Sequence, residues 1–186
     1  IGVGSWSLQA PSGGVISNTN LPTSSYTAIP VGTHTLVWSI TNGVCPTSSS
    51  TVAITQYTPP TFPNAGPSQT LCISNNTYTM MGNPITVGAG SWTLLSGTGV
   101  ITAPSNPSTT VTGLGLGLNV FSWNSTFGIC PVFSSTMSIQ VDQVPTIANA
   151  GTSQTLCANA NTLVLNGNTP AVGIGTWSVI AGSAVI

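Results

Sequence analysis

Asn64-Ala-Gly-Pro-Ser-Gln-Thr-Leu-Cys72 returns 85 residues later as Asn149-Ala-Gly-Thr-Ser-Gln-Thr-Leu-Cys157. Only the fourth position differs. The same spacing recurs at independent landmarks. Gly4-Ser5-Trp6, Gly90-Ser91-Trp92 and Gly175-Thr176-Trp177 match at offsets of 86 and 85. Trp38 matches Trp123, Cys45 matches Cys130, Pro60-Thr61 matches Pro145-Thr146, and Gly82-Asn83 matches Gly167-Asn168. The extra residue of the first copy falls between its two Trp landmarks, which places it in a loop or a bulge. All five Trp and all four Cys sit on this repeat.

The frame divides the chain into residues 1–63, the back part of one repeat, residues 64–148, a complete repeat, and residues 149–186, the front part of a third. A period near 85 is too long for a solenoid coil and suits a small β-sandwich domain. Within the complete copy, short strands alternate with Gly- and Pro-rich turns. Strands are expected over 67–71, 77–81, 91–95, 100–101, 108–112, 119–126 and 133–141. Tyr78 and Met80 share one face, with Leu163 and Leu165 at the matching places, so that face should be buried. Trp92 with Leu94, Phe121 with Trp123, and Met137 with Ile139 should also point inward. The expected fold is all-β: tandem immunoglobulin-like sandwiches whose cores hold Trp6, Trp38, Trp92, Trp123 and Trp177.

Composition narrows the function. The 186 residues include no Lys or Arg, one acid (Asp142) and one His (His34), where about a quarter of an ordinary chain is charged. A chain without cations cannot neutralise phosphates, so nucleic acid is not an expected partner. Attraction to anionic lipid is missing for the same reason. No apolar run reaches the roughly 18 residues of a membrane-spanning helix, so no membrane insertion is expected. The chain starts without a basic signal-peptide n-region, so an export signal is expected upstream.

Catalysis has little to work with. The only His, His34, aligns with Asn119 and is expected to be an exposed strand residue. Asp142 aligns with Tyr57 and is expected to open the linker Gln143-Val144-Pro145. One carboxylate cannot make an acid/base pair, and a base beside a nucleophile is lacking. No catalytic residue, cofactor site or metal site is expected: calcium usually takes carboxylates, and zinc needs clustered ligands. Asn75-Asn76-Thr77 and Asn124-Ser125-Thr126 fit the N-glycosylation pattern, which chance supplies often in an Asn/Thr-rich chain.

The cysteines read as disulfide candidates in an oxidising compartment. Cys72 with Cys130 would close one domain. An immunoglobulin order opposes that pairing, because it sends the two residues to opposite ends of the sandwich, and a disulfide needs Cα atoms within about 7 Å. Head-to-tail stacking would instead join Cys72 to a residue near position 215. The short pairs Cys45–Cys72 and Cys130–Cys157 also obey the repeat, and free thiols are the fourth alternative.

The nine-residue stretch, the Gly-Ser-Trp, Val111-Thr-Gly-Leu114 before the long strand, Trp123 seven residues ahead of Cys130, and the closing Val141-Asp142-Gln143-Val-Pro together resemble a known pattern. They are similar to the PKD-like, immunoglobulin-like tandem repeats of giant cell-surface adhesins of the Bacteroidetes, including gliding-motility adhesins. The resemblance implies export by type IX secretion and an extracellular, filamentous life on the cell surface. The family pattern carries Asp-Ala-Gly-Pro-Asp-Gln. Here Asn64 and Ser68, and again Asn149 and Ser153, replace the acids, which removes the charge a cation at the junction would need.

Two functions are weighed. The first is a structural repeat region of a secreted adhesin or extracellular filament, whose partners are neighbouring repeats and other copies in a filament. The short Pro-containing linkers, Thr58-Pro-Pro-Thr-Phe-Pro63 and Gln143-Val-Pro-Thr-Ile147, favour semi-rigid connection. The second is a carbohydrate-binding module of a secreted enzyme. It needs exposed aromatics, for which Tyr57, Phe62, Phe127 and Phe133 are the candidates.

Overall fold

The computed structural model describes residues 2–9, 13–160 and 162–183. Every regular element in it is a strand. The chain divides into two compact units. The first holds Ile1–Asn64, Asn83–Ser91 and Trp123–Ser135, and the second holds Ala65–Gly82, Trp92–Ser122 and Thr136–Ile186.

Residues 64–148 carry seven strands. They are β6 (Gln69–Cys72), β7 (Tyr78–Thr79), β8 (Ala89–Ser96), β9 (Val100–Ile101), β10 (Thr110–Thr112), β11 (Gly117–Thr126) and β12 (Phe133–Asp142). One sheet has the order β6-β12-β11-β8 and the other the order β7-β10-β9. The first strand of the seven pairs in parallel with the last, from Ile139↔Gln69 to Asp142↔Cys72. Seven strands in these two sheets, with the chain changing sheet at β6–β7, β7–β8, β8–β9 and β10–β11, make an immunoglobulin-like β-sandwich.

Alternation along the strands builds its core. Met80, Trp92, Val111, Leu114, Phe121, Met137, Ile139 and Val141 are all buried. Trp92, Val111, Phe121, Met137, Ile139 and Val141 are inward strand residues, those of β12 at period two, and Met80 and Leu114 lie just past the ends of β7 and β10. The glycines show how tight the fit is. A Cβ on Gly99 would come within 2.9 Å of Val111 and 3.3 Å of the Phe121 ring. A Cβ on Gly90 would strike the Trp123 ring, and one on Gly4 the Trp38 ring. The recurrent Gly-Ser-Trp therefore keeps a flat seat for the Trp of the neighbouring strand.

The first unit contains the N-terminal strands. β1 (Val3–Leu8), β4 (Gly32–Thr41) and β5 (Ser48–Gln56) form a sheet in the order β1-β4-β5. Its register sets Trp6 against Trp38, with ring centroids 5.1 Å apart. β2 (Val15–Ile16) and β3 (Tyr26–Thr27) form a separate pair. By the repeat these five match β8 to β12. The extra residue of this copy falls between Leu8 and Val15, a stretch whose residues 10–12 lie outside the described ones.

Two expectations need correction. His34 is not exposed: it retains 3% of its accessibility. It shares a strand face with Leu36 and Trp38, so period two sends it inward with them. The matching Asn119 shows what the position does. Its Oδ1 accepts from the Thr98 N–H at 2.8 Å, and its Nδ2 donates to the carbonyls of Gly115 (3.0 Å) and Ile139 (3.3 Å). His34 keeps one such bond, Nε2 to the Pro30 carbonyl at 2.9 Å, and leaves Nδ1 buried without a partner. The second correction concerns the tryptophans. Trp92 and Trp123 are buried, Trp6 and Trp38 are half-buried, and Trp177 is 45% exposed. Leu163 and Leu165 are exposed too, because among the described residues no strand forms over 149–183 to close a layer on them.

A buried polar latch is costly to break from one side, since the partners stay buried and unpaired. Asn119→Ala should lower unfolding free energy by about 3 kcal/mol, read from urea denaturation. His34→Asn should raise stability, because the amide restores the second polar arm; an unchanged or lower midpoint would refute the latch.

Candidate functional site at the linkers

The best-built polar site holds the linker. Thr61 lies between two prolines, Pro60 and Pro63, whose missing N–H groups limit what this stretch can offer a partner. Its hydroxyl oxygen accepts from the amides of Thr86 (3.1 Å) and Val87 (2.9 Å). Its own N–H donates to the Val87 carbonyl at 3.0 Å. Its carbonyl accepts from the Ser125 hydroxyl at 2.7 Å. Three residues on, Asn83 clamps the chain again. Its Oδ1 accepts from the Asn64 N–H at 2.7 Å, and its Nδ2 donates to the Phe62 carbonyl at 3.0 Å. The Trp123 indole N–H in turn donates to the Asn83 carbonyl at 3.0 Å.

The second unit builds the same clasp. Thr146 Oγ1 accepts from Ala171 N and Val172 N, both at 2.9 Å. Asn168 Oδ1 accepts from Asn149 N at 2.7 Å, and its Nδ2 donates to the Ile147 carbonyl at 3.1 Å. A two-point grip, at Thr61 and Asn64 and again at Thr146 and Asn149, thus forms at both linkers from the same residue types at the same spacing. Pro60-Thr61 and Gly82-Asn83 were visible in the sequence as repeat landmarks. Their partnership was not, because the partners lie 19 to 26 residues apart in loops, where no period marks them.

Just past the clasp lies the glycine of the nine-residue stretch. Gly66 and Gly151 have φ of +79° and +83°, a left-handed conformation that side chains resist. A Cβ at either would also come within 2.9 Å of a carbonyl oxygen, that of Met81 or Asn166. Both reasons fix Gly there.

Aromatic pairs flank the first clasp. Tyr57 meets Phe127 edge-on with centroids 5.8 Å apart, and Phe62 stacks on Phe133 at 4.5 Å. The four residues considered for sugar stacking are therefore engaged with one another.

The cysteines occupy matched turns. The N–H groups of Cys45 and Cys130 close turns onto Asn42 and Phe127, and the carbonyls of Cys72 and Cys157 accept from Asn75 and Ala160. All four thiols are free. The Cys72–Cys130 pairing is corrected by the register. Cys72 is level with Asp142, the last residue of β12, whereas Cys130 precedes Phe133, the first. Ten strand residues at about 3.3 Å each span on the order of 30 Å, far beyond disulfide reach. The short pairs Cys45–Cys72 and Cys130–Cys157 are not formed either. The Cys72 thiol is held below its ordinary pKa, chiefly by the Ser74 hydroxyl and then by the Ser74 backbone, with Asp142 opposing.

Among the described residues no three His, Cys, Asp or Glu side chains come together as a metal site would require, and no helix is long and apolar enough to cross a membrane. Among the described residues His34 meets the Pro30 carbonyl and Asp142 the Gln140 amide. Beside the second clasp lies a cleft of ≈ 450 Å³ whose lining includes Asn168, Gly175 and Trp177. In the complete copy the matching place is filled by Trp123, against Gly90 and Asn83.

No family model and no curated protein matches the chain. Solved structures do. The PKD domain from the KIAA 1837 protein is 20% identical with a TM-score of 0.39, over 50% of this chain and 92% of that one. Protocadherin gamma B2 extracellular cadherin domains 1–5 are 14% identical with a TM-score of 0.32, over 76% of this chain and 33% of that one. Mouse cadherin-23 EC22-24 is 10% identical with a TM-score of 0.34, over 78% of this chain and 54% of that one. The strand order described above, not these likenesses, carries the fold.

Thr61→Val should cost about 2 kcal/mol by leaving two amides without their acceptor, and should speed hydrogen exchange at Thr86 and Val87 while leaving Val111 protected. Unchanged exchange at both amides would refute the clasp. Ser74→Ala should slow alkylation of Cys72 by iodoacetamide near neutral pH by roughly threefold, since the thiolate is the nucleophile; an equal rate would refute the Ser74 effect.

Proposed function

We propose that this chain is part of the structural repeat region of a secreted surface adhesin or extracellular filament, with a mechanical and adhesive role and no catalysis. The observation that carries this reading is the clasp, made twice with the same Thr and Asn at two successive linkers. A free linker lets neighbouring domains reorient. One whose last residues are held by fixed hydrogen bonds to the repeat that follows leaves that repeat less freedom to reorient. The repeats of this reading are 64–148 in full, with 1–63 and 149–186 as parts of two others.

The near-absence of charge supports the same role. Nothing in the chain steers a charged ligand, and backbone and amide hydrogen bonds hold the linkers without ion pairs that salt would screen. The partners in this reading are neighbouring repeats and other copies in a filament, and the location is extracellular. The finer placement, among gliding-type Bacteroidetes adhesins exported by type IX secretion, rests on the sequence resemblance. A carbohydrate-binding module is the second reading, since Phe62 remains 72% exposed beside Phe133.

Negative-stain images of the protein from its native surface should show a beaded or continuous fibre with one bead per repeat. Isolated globules would sink the proposal. Binding of a two-repeat protein on a glycan array, unchanged by Thr61→Val, would shift the reading to sugar recognition.

A further inference from the structure

Two stretches fit the pattern on which N-linked sugars are built, Asn75-Asn76-Thr77 and Asn124-Ser125-Thr126. The fold treats them in opposite ways. Asn124-Ser125-Thr126 ends β11, an inner strand of the sheet β6-β12-β11-β8. The Asn124 carboxamide is already engaged, its Nδ2 donating to the Ser91 carbonyl at 3.2 Å. Ser125 is buried, and its hydroxyl donates to the Thr61 carbonyl of the linker clasp at 2.7 Å. In the folded chain an enzyme reaches that tripeptide only by opening the sheet and the clasp.

Asn75-Asn76-Thr77 lies between β6 and β7, in no strand. All three residues are exposed. The chain turns just before them, the Asn75 N–H donating to the Cys72 carbonyl at 2.8 Å. The Asn76 carbonyl accepts from the Leu114 N–H at 3.1 Å. These two backbone bonds anchor the segment to the sandwich and leave its side chains outside. The Thr77 hydroxyl donates to Asn75 Oδ1 at 3.2 Å. That bond brings together the two residues the pattern requires. It engages the oxygen end of the carboxamide, not Nδ2, the nitrogen a sugar would join.

We propose that Asn75 is a modification site that takes an N-linked glycan from a lipid-linked oligosaccharide donor, while Asn124 stays bare. In the transfer, Asn75 Nδ2 forms a bond to the anomeric carbon of the first sugar. The bond from that carbon to the donor's pyrophosphate oxygen breaks. The pyrophosphate leaves with the electron pair, and one Nδ2 proton goes to a base. No oxidant or reductant takes part. An exposed loop accommodates a bulky, solubilising group of this kind. The chain also has use for it: net charge ordinarily keeps proteins soluble, and here the only acid is Asp142, with no Lys or Arg. The match of Asn75 in the third copy is Ala160, so the sugar marks the complete repeat and does not recur with the period. The inference rests on the extracellular reading, since the pattern is used in secreted proteins, and not on the filament role.

The test is peptide mass spectrometry of the chain recovered from its native cells, with the cytosol kept apart from the surface and medium. Elastase makes the cuts, because trypsin finds no Lys or Arg. The exported chain should yield the Asn75 peptide with one glycan on the Asn side chain, and the Asn124 peptide at its unmodified mass. Asn75→Gln and Thr77→Ala should each abolish the glycan. Thr77→Ser should keep it, since the pattern accepts either hydroxyl, and Asn124→Gln should leave it unchanged. Asn75 and Thr77 are exposed and outside every strand, so their substitutions report on modification and not on folding. An exported chain with a bare Asn75 overturns the inference, as does a glycan on Asn124 or on a hydroxyl in its place. A chain confined to the cytosol overturns the extracellular reading along with it.

Discussion

The parallel pairing of β6 with β12 is the constraint on which the rest depends. Two parallel strands cannot be joined by a hairpin; the chain between them must cross over. Here the crossing is made by switching sheets, which produces the sandwich. Because β6 and β12 run the same way, the chain enters residues 64–148 at one end of the strand direction and leaves at the other. The same pairing decides the cysteines. It sets Cys72 beside the exit at Asp142 and leaves Cys130 in the turn near the entrance, where its sulfur lies 3.8 Å from the Thr58 carbonyl.

Having almost no charge, the chain meets its polar needs with amides and hydroxyls. Asn119 bonds four backbone groups, and Asn83 bonds two linker groups. Asn offers a donor and an acceptor on one short, stiff side chain, so a single residue can latch two strands of backbone at once. His34 shows the limit of substitution. Its ring reaches the carbonyl four residues back, as Asn119 does, but its second nitrogen finds no partner. A latch that carries no charge has another consequence: it does not titrate, so linkers held this way keep their grip across a wide pH range.

Much of this was legible beforehand. Seven strands in residues 64–148 follow from turn chemistry and alternation, and their observed bounds differ from the expected ones by a few residues, as at Gln69–Cys72 against 67–71. The burial of His34 was also legible, since Leu36 and Trp38 fix the inward parity of that strand; its polarity argued for solvent, and geometry won. The clasp was only half legible. Repetition marked Thr61 and Asn83 as special, but a side chain that bonds backbone leaves no trace in the composition of its partner. Val87 could be any residue but proline and still offer its N–H.

Trp92 and Trp177 carry the last lesson. Their surroundings in sequence are nearly the same, Gly-Ser-Trp-Thr-Leu against Gly-Thr-Trp-Ser-Val, yet one is buried and the other 45% exposed. Local sequence selects the strand and the inward face. Burial comes from the opposing layer, supplied in the complete copy by strands that follow Trp92 by up to 50 residues. A β-sandwich therefore gains its hydrophobic stabilisation only when both sheets are present, and a part of one carries surface that has not yet been used.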